Sequence, residues 1–549
     1  MILMIRTRIL FSQQLQIFKM IKVKGMKHIY YLVIILIVGV MFVACYDKDN
    51  TIHRIPDLVI ENVTGGSVKT GELIEITPKC IMGGEEVECT YNWYRYRDTV
   101  LELISEDTHL EWRVDTVGSV TLELEATHVE TGIQAILTFQ YAIVPRINNG
   151  WLILKETMDG NTDMDVSLLQ TNGIEFAEDQ LSLALGGPMK GKPVSLLSTQ
   201  NYQWYNPETG GREERQNCLI PVSEKDILMY RVSDEKVLVQ TEDLFYETPD
   251  FTSGNIEAFM KLDYSASLIF DGKVYLLSSA AFMPALLGDY HLAPYIVCWG
   301  YSNPMLVYDE LSSSFGLIKA SNIMNTTMEI KYFDNAFQAD DDLRISPSQM
   351  NADLVYLGQT DRSILTDKPG SGTAYALMKK KGDADNLLLY GLTAAEWPNA
   401  TYGPIRFTRT IPISRCEAFA TADFYTMHQT NNLIYFIKDN RLSYYDIDKD
   451  EFVMDIHTFD GEVTYCKYIG NNYDYNDSSW NPPLYDNQFE RLMVATTSGT
   501  SYTIHSFGWS INEGLTLLPD QEINGEGKVR FMFWYTSSWR LFNSIYRYS

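Results

Sequence analysis

Three segments of the chain combine aromatic rings with polar side chains, and they are the strongest candidates for binding chemistry. The sequence from 471 to 487 reads NNYDYNDSSWNPPLYDN and exceeds the usual length of a connecting loop. Flat rings beside amides and carboxylates can stack on sugar rings or anchor a protein interface. The alternative is that these rings pack inside the fold. The candidate ligand-binding residues are Tyr473, Tyr475, Trp480 and Tyr485 in this segment, Trp397 and Tyr402 in the second, and Trp204 in the third.

The histidines do not form a pattern typical of catalysis or metal binding. None belongs to an HExxH motif or to a pair spaced i, i+4, and we find neither a GxSxG motif nor a P-loop. A Ser-His-Asp set stays possible, because its members need not be close in sequence. Two acidic segments, 340–342 and 474–477, lack EF-hand spacing and are interpreted as solvated loops. We therefore expect no enzyme activity, no metal and no cofactor.

Six cysteines follow Cys45, and their spacing is not that of a metal site. Cys80 and Cys89 lie nine residues apart and flank a Gly-Gly turn. In an exported protein they could form a hairpin disulfide, and two free buried thiols are the alternative. The other four are interpreted as thiols of the protein core.

The N-terminus carries an apolar run of 15 residues, from Tyr30 to Ala44. A bilayer-spanning helix needs roughly 20 apolar residues, so the run fits the hydrophobic part of a secretory signal better. We interpret residues 26–44 as the signal peptide and residues 1–25 as an upstream extension. The alternatives are a single retained span or an ordinary cleaved signal.

The run ends in Phe-Val-Ala-Cys, which resembles a bacterial lipobox and makes Cys45 the lipid-bearing residue. More than one acyl chain on this cysteine anchors a protein durably. Residues 45–56 form a tether, and its Tyr-Asp-Lys-Asp-Asn start resembles the export signal of Bacteroidota surface lipoproteins. A plain polar tether is the alternative. We expect an outer-membrane protein that faces the cell surface, with the periplasmic face as the alternative location.

The chain is strongly acidic, with a formal net charge of −27. Residues 1–44 hold six Lys or Arg and no acid, so the remaining 505 residues carry −33. Such a surface repels phosphate backbones and anionic lipid headgroups. We therefore expect no nucleic-acid partner and membrane contact through the acyl anchor alone.

Residues 57–146 have the pattern of a β-sandwich, with about seven short strands and turn signals between them. A Tyr-x-Trp strand at Tyr91 and Trp93 is followed by a strictly alternating strand that ends at Ala126. A Glu-Thr-Gly turn at 130–132 then leads into a closing strand that ends at Val144. These features resemble a PKD-type immunoglobulin-like module, whose central Trp packs in the core. The WDFGDG turn of PKD repeats proper is missing.

Residues 147–549 predict a second all-β region with recurring strand pairs and no helical stretch. The clearest unit is 432–456, in which three short strands are separated by Asp/Asn turns. Units of about 50–60 residues favour a β-propeller of about seven blades, and tandem β-sandwiches are the alternative. The last strand, Val529–Tyr535, is expected to pair with the first blade.

Taken with the lipobox and the length, the whole chain resembles the PKD-like family lipoproteins of Bacteroidota. Members of that family sit beside TonB-dependent transporters and their SusD-like partners. The resemblance implies capture of a glycan, glycopeptide or peptide next to a SusC/SusD-like uptake system. The alternatives are a propeller-type polysaccharide or peptide hydrolase or lyase, and a structural subunit of a surface complex.

Overall fold

The structure is a computed structural model that describes most of the chain between Pro56 and Thr536. The described ranges are 56–97, 100–114, 117–147, 149–170, 173–207, 209–262, 265–278, 281–284, 288–298, 305–318, 330–333, 345–360, 373–392, 404–469, 491–510, 514–519 and 522–536. Among these residues no helix has the length and apolarity needed to span a bilayer.

The N-terminal part is a β-sandwich, as its alternating strands predict. A five-stranded sheet, ordered β2-β10-β9-β6-β7, packs against two smaller sheets, β1-β4-β5 and β3-β8. The strands are β1 (Leu58–Glu61), β2 (Gly66–Lys69), β3 (Leu73–Ile76), β4 (Lys79–Met82), β5 (Glu85–Glu86), β6 (Cys89–Arg97), β7 (Val100–Ser105), β8 (Leu110–Arg113), β9 (Gly118–His128) and β10 (Gln134–Val144).

The core of the sandwich forms around the predicted tryptophan. Trp93 is fully buried among Ile74, Leu110 and Leu124, and its indole N–H donates to the carbonyl of Asp107 at 2.9 Å. That bond pairs the one polar atom of the ring, so burying Trp93 leaves no hydrogen-bond donor without a partner. The resemblance of this part to an immunoglobulin-like module is confirmed.

The rest of the described chain forms seven antiparallel sheets that follow one another, a β-propeller; six of the sheets have four strands and the last has five. Blades 1 to 4 contain β11 (Asn149–Glu156), β12 (Thr162–Gln170) and β13 (Gly173–Ala177); β14 (Pro193–Asn206), β15 (Gly211–Ser223), β16 (Met229–Arg231) and β17 (Lys236–Val239); β18 (Ile256–Leu262), β19 (Ser265–Phe270), β20 (Lys273–Ser278) and β21 (Ala281–Pro284); β22 (Val297–Cys298), β23 (Met305–Asp309), β24 (Ser314–Ile318) and β25 (Ile330–Tyr332).

Blades 5 to 7 repeat the same order, and the last strand of the chain completes blade 1. They contain β26 (Ala352–Thr360), β27 (Thr373–Lys380), β28 (Asn386–Leu392) and β29 (Ile405–Pro412); β30 (Phe424–Met427), β31 (Leu433–Lys438), β32 (Arg441–Asp446) and β33 (Glu451–Thr458); β34 (Glu462–Ile469), β35 (Arg491–Ser498), β36 (Ser501–Ser510) and β37 (Gly514–Leu517), with β38 (Ile523–Glu526) beside β36. Strand β39 (Lys528–Thr536) pairs antiparallel with β11.

Among the described residues of the propeller, four short helical segments interrupt the strands, although the sequence predicted no helix in this region. They are α1 (Gln180–Leu185), α2 (Thr241–Leu244), a 3₁₀ turn (Ile413–Arg415) and α3 (Glu417–Ala420). All four lie in the connections between successive blades. Segments this short are stabilised by tertiary packing and not by their own sequence. The sequence therefore has no helical periodicity that would predict them.

Two-residue turns set the register of the hairpins. Asp439 and Asn440 have φ angles of 49° and 60°, the left-handed values that a type I′ turn requires. They join β31 to β32 in blade 6, where the sequence predicted an Asp-Asn turn. Each sheet is apolar on both sides, so neighbouring blades pack through shared clusters such as Tyr435, Ile437 and Val494 between blades 6 and 7.

The meander order of the blades gives the propeller two distinct faces. We call the face that carries the connections from first to second and from third to fourth strand the loop face. The opposite face, with the connections from second to third strand and between blades, is the turn face. Its connections are tied together: the Lys225 ammonium donates to the carbonyls of Phe251 at 2.6 Å and Gly254 at 2.8 Å.

Candidate binding face

The fold brings the flanks of the three aromatic segments to the loop face. The segment with Trp397 and Tyr402 lies between β28 and β29, a connection from third to fourth strand. The segment 471–487 lies between β34 and β35, a connection from first to second strand. Trp204 stands near the end of β14, the first strand of blade 2. The strand ends that flank these segments therefore lie on one side of the propeller, although they are far apart in sequence.

Most of the predicted site residues lie outside the described residues. This applies to the four aromatic residues of 471–487, to the pair in 393–403 and to the lipidation candidate. These residues are Tyr473, Tyr475, Trp480, Tyr485, Trp397, Tyr402 and Cys45. The two acidic segments interpreted as solvated loops lie outside as well.

Trp204 is part of a strand, whereas the sequence suggested an aromatic loop. It pairs with Glu213 of β15, and its half-buried ring packs against the core of blades 1 and 2. The Arg231 guanidinium lies over the indole at 5.4 Å and is held by Asp234, with Nη2 2.5 Å from Oδ2. A cation fixed this way stabilises the ring electrostatically. In the segment 202–206, the first two aromatic residues stand two positions apart. This alternation is typical of a strand, but the polar, turn-like composition of the segment suggested a loop.

Polar contacts hold the sandwich against blades 1 and 2. The Arg146 guanidinium forms two bonds to the Glu235 carboxylate, at 2.9 and 2.6 Å, and contacts the Gln180 side chain. The hydrogen bond to Glu235 raises the pKa of Arg146 above its usual value. Lys69 of the sandwich pairs with Glu175 of blade 1 at 2.6 Å. Glu235 belongs to the connection from third to fourth strand of blade 2, so the sandwich meets the propeller at the loop face.

His428 organises the loop-face turn of blade 6. Its buried ring stacks on Tyr468 at 4.1 Å, and Nδ1 accepts the backbone N–H groups of Thr430 at 3.2 Å and Asn431 at 3.3 Å. Burial lowers the pKa of His428 to about 3. The neutral imidazole can accept these bonds and the imidazolium cannot, so this histidine has a structural role in the turn.

A second histidine has the arrangement of a catalytic base without an accessible nucleophile. His505 Nε2 lies 3.2 Å from the Thr496 hydroxyl, and Nδ1 lies 3.4 Å from the Glu522 carboxylate. The order hydroxyl, imidazole, carboxylate is that of a nucleophilic relay. Thr496, however, is 3% exposed within its sheet, so its oxygen is out of reach of a substrate.

One group in the sandwich could hold a metal ion. Glu75, His109 and Glu111 offer one ligand atom each, and these atoms lie within 4.8 Å of one another. Glu75 and Glu111 face each other across β3 and β8, and the Thr77 hydroxyl lies 2.6 Å from Nδ1 of His109. The sequence did not reveal this group because Glu75 lies on β3, whereas Glu111 lies on β8 and His109 just before it. Both glutamates are exposed, which is also the normal state of acidic side chains in water.

The two cysteines that flank the Gly-Gly turn are free thiols. Cys80 and Cys89 are both buried, and a side-chain hydrogen bond joins them. Burial, followed by that hydrogen bond, raises the pKa of Cys89 to about 12. Of the two arrangements that the spacing allowed, the structure has the pair of buried thiols.

Comparison with solved structures finds similarity in overall layout at low sequence identity. A quinoprotein alcohol dehydrogenase-like protein from Bacteroides thetaiotaomicron is 12% identical, with a TM-score of 0.40, over 88% of this chain and 99% of that one. Hsv2 from Kluyveromyces lactis is 9% identical, with a TM-score of 0.27, over 61% of this chain and 98% of that one. At these TM-scores the similarity says nothing of function.

A family model matches the N-terminal part of the chain. Residues 45–193 match the model of the PKD-like family, a range that includes the sandwich and the three N-terminal strands of blade 1. No curated protein matches the chain. The residues that carried the resemblance, from the Tyr-x-Trp strand to Val144, all lie within the matched range. Residues 45–193 thus have the sequence signature of the PKD-like family.

Proposed function

We propose that the protein is a lipid-anchored binding protein of the cell surface, accessory to a SusC/SusD-like uptake system, that captures a glycan, glycopeptide or peptide. The observation that carries this proposal is the shared position of the strand ends that flank the aromatic segments. The strand ends that flank Trp397, Tyr402 and the segment 471–487 all lie on the loop face. Segments that connect such strand ends can offer several aromatic anchors to an extended ligand.

The position of the sandwich against the propeller supports the same proposal. The sandwich follows the tether that begins at Cys45, and it meets the propeller at the loop face through Arg146 and Lys69. A face that lies on the side of the anchor can pass its ligand to a partner embedded in the membrane. The acidic surface leaves the acyl chains as the means of attachment.

Binding is tested with the full chain from Cys45 to Ser549, expressed with Cys45→Ser as a soluble form. Glycan and peptide arrays should show a ligand class whose binding falls at least tenfold in the Trp397→Ala and Trp480→Ala variants. Tyr246→Ala is the matched control, because Tyr246 is 68% exposed on the connection between blades 2 and 3. Empty arrays with a folded protein contradict ligand capture.

The anchor and the partner are tested in cells. Metabolic labelling with an alkyne fatty acid should mark the wild type and leave Cys45→Ser unlabelled. Protease treatment of intact cells should then degrade the wild-type protein. Co-purification of a transporter together with empty arrays would instead favour a structural subunit of a surface complex.

A further inference from the structure

The small sheet β3-β8 of the sandwich presents two glutamates side by side to solvent. Glu75 of β3 lies directly opposite Glu111 of β8, and both are exposed. Their neighbours Ile74 and Leu110 are buried in the sandwich core, so strand alternation turns the two carboxylates outwards. Paired strands thus fix both positions, and they do so more precisely than loops would.

These two carboxylates face each other without a lysine or arginine. Within the described part of the chain, the ion-pair neighbour of Glu111 is His109, and Glu75 has none. Another cross-strand acid of the sandwich is neutralised directly, since Glu102 pairs with Arg95 at 2.8 Å. Like charges directly opposite each other destabilise a sheet. A cation between Glu75 and Glu111 would remove that repulsion.

His109 adds a nitrogen to the same group. It precedes Glu111 by two residues, and its Nε2 lies 3.7 Å from Oε1 of Glu111, which is too far for a hydrogen bond. Two ligand atoms at about 2.0–2.2 Å from one tetrahedral zinc ion lie roughly 3.4 Å apart. The ligand atoms of Glu75, His109 and Glu111 all lie within 4.8 Å of one another. Small rotations of exposed side chains are therefore enough for all three to reach one ion.

The Thr77 hydroxyl orients the imidazole for this purpose. It lies 2.6 Å from Nδ1 of His109, so that the other ring nitrogen, Nε2, is the one near Glu111. A metal-binding histidine normally forms such a hydrogen bond through its second ring nitrogen, which fixes the tautomer and the direction of the ring. Thr77 would thus be a positioning residue that touches the metal only through His109.

We propose that Glu75, His109 and Glu111 form a binding site for one divalent transition-metal ion, for which Zn²⁺ is the best match. An imidazole nitrogen with carboxylate oxygens suits such ions, whereas Ca²⁺ and Mg²⁺ prefer oxygen ligands alone. Three protein ligands leave a fourth position for water or for a side chain of a partner. The proposal replaces the expectation of no metal, and it is independent of ligand capture at the loop face.

The site is tested by calorimetric titration of zinc chloride into the soluble form after treatment with a chelator. One Zn²⁺ per chain should bind, and Glu75→Gln, His109→Gln and Glu111→Gln should each weaken this binding at least tenfold. His291→Gln is the matched control and should bind as the wild type does. His291 also lies 3.7 Å from a glutamate, Glu310, but it belongs to no group of three metal ligands among the residues that the structure describes.

Two further measurements separate metal binding from a structural role. Thr77→Val should weaken Zn²⁺ binding roughly tenfold, whereas Thr77→Ser should not. Without metal, Glu75→Gln should melt at the wild-type temperature or above it, because the repulsion between the carboxylates is gone. Saturating Zn²⁺ should raise the melting temperature of the wild type and leave that of Glu75→Gln unchanged.

Three results would overturn the proposal. They are the absence of saturable Zn²⁺ binding in the wild type, equal Zn²⁺ binding in the wild type and the three ligand variants, and a lower melting temperature of Glu75→Gln in the absence of metal. Binding of Ca²⁺ as tight as that of Zn²⁺ would contradict the assignment to a transition metal.

Discussion

The hydroxyl of Tyr502 donates a hydrogen bond of 2.7 Å to Oδ2 of Asp165, a residue 337 positions earlier in the chain. Both side chains are buried, and the bond joins blade 7 to blade 1. The other oxygen of Asp165 lies 2.7 Å from the Lys155 ammonium. Burial raises the pKa of Asp165, and the lysine opposes that rise. A polar network thus stands where the two ends of the propeller meet.

Loss of this bond should destabilise the propeller at that boundary. Tyr502→Phe leaves a buried carboxylate oxygen without its donor, which we expect to cost about 1–3 kcal/mol in the free energy of unfolding. Denaturant unfolding measures this change. Tyr96→Phe is the control, because its hydroxyl donates to Glu123 on an exposed surface and should matter far less. Equal effects in the two variants would contradict a special role for the Tyr502–Asp165 bond.

The Arg146–Glu235 pair should hold the sandwich to the propeller. Both side chains are 22% exposed, and the contact is bidentate. A double-mutant cycle with Arg146→Met and Glu235→Gln is expected to give a coupling energy of about 1–3 kcal/mol. The exposed Lys438–Asp423 pair of blade 6, with 3.2 Å between Nζ and Oδ1, is the matched control and should give at most about 1 kcal/mol.

The same variants should change the motion of the sandwich. Limited proteolysis near residue 148 is expected to be faster in Arg146→Met than in the wild type, because the connection after β10 then opens more often. Unchanged cleavage together with a coupling energy near zero would show that apolar contacts alone hold the sandwich against the propeller.

Stability should fall in acid because of His428. Its pKa is about 3 in the folded protein and about 6.5 when exposed, so the unfolded chain binds a proton that the folded chain excludes. The contribution of His428 to the free energy of unfolding is fully present above pH 6.5. It is lost as the pH falls towards 3, by roughly 1.4 kcal/mol per pH unit. Urea unfolding between pH 7 and 4 measures the slope. His428→Gln should flatten this slope, whereas His291→Gln, at a histidine that is only partly buried, should not.

The thiols of the sandwich should resist alkylation in the native state. With a pKa of about 12 instead of 9, Cys89 has about a thousandfold smaller thiolate fraction at pH 8. Iodoacetamide treatment followed by mass spectrometry should find Cys80 and Cys89 unmodified in the folded protein and modified in urea. A linked peptide with a mass 2 Da below that of the two thiols would instead reveal a disulfide.

Much of the architecture was predictable because it depends on local pattern. Strand alternation and left-handed turn residues such as Asp439 and Asn440 act over a few residues, so the hairpins of blade 6 could be located from the sequence. The resemblance to an immunoglobulin-like module predicted the burial of Trp93, and the propeller interpretation predicted the pairing of the last strand with blade 1. The short helices between blades were not, because only packing stabilises them.

The sequence by itself determined the all-β class, the sandwich followed by a propeller, and the strong negative charge. The tertiary structure decided which distant residues meet. Trp204 lies in a strand against Arg231, Tyr502 reaches Asp165, and Glu75 lies opposite Glu111. Such pairings depend on the register and order of whole sheets. A shift of one residue reverses every side chain, so local pattern cannot specify them.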